Sequence, residues 1–122
     1  MKIKAILIKP GKRAEVVEIE NELEAMREAV GGNIELCPMN GFSERGIIAY
    51  CNDNGKFLGL PPNRAIYRNG KLVDIIAGNI IVLGSSRDNE YGENEECSLT
   101  DEQIDYVMRI YGAEEYFPLK KR

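Results

Sequence analysis

The chain has no histidine and no tryptophan, and the first absence removes a whole class of chemistry. Histidine is the usual general base, triad partner and transition-metal ligand, so catalysis built on an imidazole is excluded. Cysteine is scarce. Cys37, Cys51 and Cys97 are odd in number and too widely spaced for a zinc knuckle or a redox pair. They read as free thiols in a reducing cytoplasm, small buried hydrophobes and not reactive groups. Long apolar runs are missing as well. The longest, Ile75 to Leu83, is broken by Gly78 and Asn79 and cannot span a bilayer. The start, Met1-Lys2-Ile3-Lys4, is interrupted by charge and reads as a strand, not as a secretory signal. No serine stands in a nucleophile elbow, and no glycine-rich phosphate loop precedes a helix.

What remains is ordinary globular material. The 122 residues are 43% hydrophobic and 30% charged, enough for one core and one domain spanning 1–122. Sixteen basic and twenty acidic residues give a net charge of −4. Long-range attraction to nucleic acid or to an anionic membrane needs the opposite sign, so neither is an expected partner.

Hydrophobic patterning predicts an α+β fold of order ββαβββ(β)βα. The sheet is expected to be mainly antiparallel, with five to seven short strands and two helices, because hairpin turns outnumber crossover helices. Ile3 to Ile8 and Glu15 to Ile19 read as a hairpin around Pro10-Gly11-Lys12. Asn21 with Glu24 resembles a capping box, Leu23, Met26 and Val30 make one helical stripe, and Gly31-Gly32 ends the helix. Gly46 to Cys51 reads as a strand closed by Asn54-Gly55 in a tight hairpin turn, with Lys56 to Leu58 returning. A second turn, Arg68-Asn69-Gly70-Lys71, joins two further strands, and Asn79 to Leu83 reads as a strand covered on both faces. Thr100 with Gln103 predicts a capping box for a second helix carrying Ile104, Val107, Met108 and Tyr111 on one face. Both helices are expected on the same face of the sheet. Residues 85–97 read as a mobile acidic loop, and the tail 113–122 as frayed.

Two segments carry candidate chemistry. Glu90, Glu93, Glu95 and Glu96 form an acidic cluster, but their spacing matches no calcium loop and they read as a solvated run. Metal ligands, catalytic residues and cofactors are therefore all assigned as none. The second segment is Leu60-Pro61-Pro62-Asn63-Arg64, which reads as irregular and stiff. Such a platform would display Asn63 and Arg64 with little entropy left to lose, and an arginine fork grips carboxylate or phosphate. Phe57 and Tyr67 are near enough in sequence to stack on a flat ligand. Asn63, Arg64, Tyr67 and Phe57 are thus the candidate ligand- or partner-binding residues. The competing reading makes Arg64 a structural tie to a carboxylate such as Asp74, with Asn63 capping a turn.

Ile8-Lys9-Pro10-Gly11, Leu23 to Met26, Val30 to Glu35, Cys51-Asn52 to Gly55-Lys56, Leu60 to Arg64 and Asp74 to Gly78 carry a family resemblance. Over about residues 2 to 111, the chain resembles a small family of uncharacterised domains encoded by phages, plasmids and other mobile elements of mainly Gram-positive bacteria. The resemblance implies a single domain of mobile-element origin and no established activity. The expected function is a non-catalytic binding protein that sequesters or inhibits a host component, either a nucleotide-like small ligand or a host protein. A sheet edge shared between copies would make a homo-oligomer. The alternative is a small magnesium-dependent hydrolase or transferase using Asp and Glu.

Overall fold

A computed structural model describes residues 1–86 and 95–117. The elements run β1 (Lys2–Ile8), β2 (Glu15–Glu20), α1 (Leu23–Val30), β3 (Ile34–Leu36), a 3-10 turn (Ser43–Arg45), β4 (Ile47–Asn52), β5 (Pro62–Arg68), β6 (Lys71–Ala77), β7 (Ile80–Ser86), β8 (Glu95–Cys97) and α2 (Asp101–Tyr111). The large sheet has the order β2-β1-β7-β4-β3, with β8 also on β7, and β5 with β6 forms a separate two-stranded sheet. Every strand pair is antiparallel. This is the expected α+β fold, with eight strands among the described residues instead of five to seven.

The central strands explain the layering. On β7, Ile80 and Val82 face one core while Ile81 and Leu83 face another, because successive side chains of a strand point to opposite sides. β1 divides likewise, with Ile6 and Ile8 on one side and Ile3 and Ala5 on the other. α1 covers the second side through Met26 and Val30, whereas α2 covers the first through Val107 and Tyr111, joined there by Ile66 and Ile76 of the β5–β6 hairpin. The expectation that both helices share one face is therefore corrected: they lie on opposite faces. The reason is that β2 and β3 occupy opposite edges of the sheet. The α1 connection must cross the sheet from edge to edge, a span of about 19 Å at roughly 4.8 Å per strand. Crossing there fills that face, and α2 with the hairpin takes the other.

Local signals fared unevenly. Thr100 and Gln103 form the full capping box of α2, and Gly31 ends α1 with a φ of 78°. The α1 N-cap, however, is Glu22 and makes no side-chain hydrogen bond. Asn21 instead donates through Nδ2 to the Glu96 carbonyl at 3.0 Å. Leu23 is 54% exposed, so the α1 stripe is reduced to Met26 and Val30. Asn69 and Gly70 take positive φ angles in the β5–β6 turn, as an asparagine–glycine hairpin requires. The Asn54-Gly55 pair does not. Neither residue is among those with positive φ, and the chain from Asn52 leaves the large sheet for the small one instead of returning beside β4, with Lys56 to Leu58 in a turn. Gly55 is needed for a different reason: a Cβ there would lie 2.7 Å from the Ala77 carbonyl oxygen.

The stretch 85–97 is strand at both ends, Ser85 and Ser86 in β7 and Glu95 to Cys97 in β8. Glu90 and Glu93 of the acidic cluster lie outside the described residues. Glu96 accepts a hydrogen bond from the Tyr50 hydroxyl at 3.0 Å.

Candidate functional site

The Leu60 to Arg64 segment is not an outward platform. Pro62 begins β5, which tolerates a proline because each strand of a two-stranded sheet is an edge. Pairing shifts register between Pro62 and Arg64, so Asn63 is a bulge residue and the two successive side chains both turn inward. Asn63 and Arg64 are each 0% exposed.

Their hydrogen bonds are a wiring scheme. Asn63 donates through Nδ2 to the Ile8 carbonyl at 2.8 Å and to the Gly78 carbonyl at 2.7 Å. Arg64 donates through Nε to the Tyr111 carbonyl at 3.1 Å, through Nη2 to the Lys12 carbonyl at 2.9 Å, and through Nη1 to both oxygens of Asn63. Glu115 lies 3.8 Å from Nε, and its other oxygen accepts from the Ala65 amide at 3.0 Å. Asp74, the carboxylate suggested by sequence, pairs with Lys56 instead. Burial lowers the guanidinium pKa from its ordinary value while Glu115 and then Glu114 oppose that shift. Arginine retains its charge even so. The pair therefore ties the end of β1, the β1–β2 turn, the β6–β7 turn and the end of α2 to one point.

The other two candidate residues lie elsewhere. Tyr67 is 52% exposed near the far end of β5, where its carbonyl accepts from Asn40 Nδ2 at 2.7 Å. Phe57 is 89% exposed and Leu58 57% exposed at the tip of the β4–β5 loop. The four candidates do not converge on one pocket.

What does converge is the backbone that the buried pair holds. β1 and β4 end, and β7 begins, at the same end of the sheet as the C-terminus of α1. Lys9, Lys12, Gly31, Leu58, Pro61 and Gly78 line a cleft of about 470 Å³ there. Gly78 has a φ of 83°, a conformation that favours glycine, and a Cβ there would lie 2.7 Å from Leu60 Cδ1. A second hollow of about 300 Å³ lies across the loop, with Phe57, Lys56, Asp74 and Cys51 in its wall. The loop between the hollows is held by its own backbone: the amide of Leu58 donates to Asn54, that of Gly59 to Lys56 and that of Leu60 to Gly55, at 2.8, 3.1 and 2.9 Å. The Lys56–Asp74 ion pair fastens it to β6. Two large apolar side chains are thus presented to water by a well-tied loop. Five of the segments that carry the family resemblance, Ile8 to Gly11, Val30 to Glu35, Cys51 to Lys56, Leu60 to Arg64 and Asp74 to Gly78, contribute lining residues to the cleft.

Sequence reasoning named Phe57 but not the cleft, because it weighed Arg64 either as a ligand contact or as a tie to Asp74, whereas Arg64 is buried and donates to the Lys12 carbonyl behind the cleft. The signal that was available is Phe57-Leu58, an apolar pair inside an otherwise polar turn. Cys37 and Cys51 are buried free thiols and Cys97 a half-buried one. The neighbouring Cys51 thiol and burial together push Cys37 above its ordinary value, which leaves it protonated and unreactive.

No curated protein and no solved structure matches the chain. A family model described as a domain of unknown function, DUF3846, matches residues 1–112. The chain belongs to that family.

Proposed function

We propose that this domain is a non-catalytic binding module of mobile-element origin, and that it sequesters or inhibits a host protein by docking it on the β4–β5 loop. The observation that carries this reading is the exposure of Phe57 and Leu58 on a loop whose backbone is already fixed. Phe57, 89% exposed beside Leu58 at 57%, leaves more apolar surface in water than the other adjacent exposed pair, Leu72 and Val73 of β6 at 52% and 53%, and fixed geometry lowers the ordering cost of association. Absence of an imidazole fits a binding role better than a catalytic one. No observation favours the magnesium-dependent alternative. Among the described residues, His, Cys, Asp and Glu form no group of three or more able to hold a metal ion. The small-ligand version keeps one support, the cleft beside the loop, but a ligand confined to that cleft would leave Phe57 uncovered.

The test is crosslinking in host cells with the wild-type chain and with a Phe57→Ser, Leu58→Ser double variant of equal thermal stability. The expected result is a discrete host protein crosslinked by the first and lost from the second. Identical crosslinked species from both chains would refute the loop as the binding surface.

A further inference from the structure

The chemistry of the partner can be read from the cleft that Leu58 borders. Its apolar lining is Val30, Leu60 and Pro61 beside Leu58. Its volume is about 470 Å³ and it opens broadly to solvent, a shape that a side chain of a passing polypeptide can enter. The rim is charged in a direction opposite to the molecule as a whole. The chain carries −4, yet Lys9 and Lys12 border the cleft against the single carboxylate of Glu28. Both lysines are exposed, and among the described residues neither lies within ion-pair distance of a carboxylate.

Their backbone is held with unusual care. The Lys12 amide donates to the Lys9 carbonyl at 3.1 Å, the Lys12 carbonyl accepts from buried Arg64, and the carbonyl of Ile8, beside Lys9, accepts from buried Asn63. Two exposed cations, without a carboxylate partner among the described residues, are thus set on a fixed turn at the border of the hollow. We infer that the cleft takes a segment of a partner protein in which a large apolar side chain is flanked by a carboxylate, the apolar group entering beside Leu58 and the carboxylate meeting Lys9 and Lys12. This rests on the reading of the β4–β5 loop as a protein-binding surface. A polypeptide passing over the cleft covers Phe57 as well, which a small anion does not, and its negative charge complements a positive rim on an otherwise acidic domain.

The experiment is selection of short displayed peptides on the full chain, followed by fluorescence anisotropy of one selected peptide. Enriched sequences are expected to carry Leu, Ile, Phe or Trp within a few residues of Asp or Glu. Affinity should fall about tenfold for each of Lys9→Glu and Lys12→Glu and by a similar factor for Leu58→Ser, with thermal midpoints unchanged, and should weaken as salt is raised. Peptides that depend on Leu58 but bind the charge-reversed variants as well as wild type overturn the acidic partner while leaving the loop's binding role intact. Selection that yields nothing dependent on Phe57 or Leu58 overturns both. Sedimentation of the chain alone closes the remaining routes: a dimer abolished by Leu58→Ser assigns the cleft to a second copy and overturns the proposal, and a monomer supports it.

Discussion

Two prolines separate the β4–β5 loop from the Asn63–Arg64 step, and the two segments have opposite fates. The loop exposes Phe57 at 89%, while Arg64, the longest cation nearby, is 0% exposed. Hydropathy alone would place them the other way round. The difference lies in what each side chain finds at its position. Arg64 meets the carbonyls of Tyr111, Lys12 and Asn63, so its donors are satisfied without water and the cost of burial is offset. Phe57 sits on a loop whose hydrogen bonds turn it away from both cores. A buried polar pair thus holds four chain segments, while the exposed apolar pair holds none.

The largest expected effect breaks the buried half of this comparison. Arg64→Ala leaves carbonyls of α2, the β1–β2 turn and β5 without donors, and should cost about 3–5 kcal/mol in denaturant unfolding. A stability within experimental error of wild type would return Arg64 to the role of a partner contact. Next come the two helix anchors. Met26→Ala and Val107→Ala should each cost roughly 2–4 kcal/mol, since both side chains are buried, at 3% and 0% exposure. Because they belong to separate cores on opposite faces of the sheet, the double variant should lose close to the sum of the two in the same assay. Strong non-additivity would contradict that layering.

A half-buried polar group gives an intermediate case. Burial, with the Glu96 carboxylate accepting a hydrogen bond from its hydroxyl, pushes the Tyr50 phenol up to about 12 from its ordinary value of 10.0. A raised folded-state pKa means that this contribution is complete below pH 10 and disappears as pH climbs through about 12. Burial raises Tyr111 as well, so spectrophotometric titration should find more than one late-ionising tyrosine, of which Tyr50→Phe removes one, and the variant should lose less stability than wild type between those two values. The smallest effect belongs to the loop. Phe57→Ser and Leu58→Ser should leave the thermal midpoint nearly in place, within about 0.5 kcal/mol, because neither side chain is part of a core. A larger loss would show the loop to be structural and would remove its claim to be a binding surface.

Much of the fold was legible because its signals are local. The alternation of Ile3 to Ile8, the apolar run of β7, the Thr100–Gln103 box and the Asn69-Gly70 turn each act within a few residues, where steric and hydrogen-bonding preferences decide. Asn21-Glu22-Leu23-Glu24 looked equally local and misled, since Glu96, far along the chain, offers Asn21 a competing carbonyl. The candidate site was legible only in its ingredients. Phe57 was visible as an aromatic on what read as a returning strand, and Arg64 as a cation on a stiff segment, but whether either side chain faces water depends on a bulge and on partners tens of residues away.

The sequence by itself determined the element order, the absence of imidazole chemistry and the existence of one amphipathic face on each helix, because composition and short-range periodicity are properties of the chain alone. Tertiary structure decided the rest. It placed the helices on opposite faces, since the α1 crossover must reach from one sheet edge to the other. It turned Asn63 and Arg64 inward, since a one-residue register shift in β5 sends both toward carbonyls of β1, α2 and two turns. And it set Lys9 and Lys12 beside Leu58, because strands that run antiparallel bring the ends of β1 and β4 and the start of β7 to one end of the sheet.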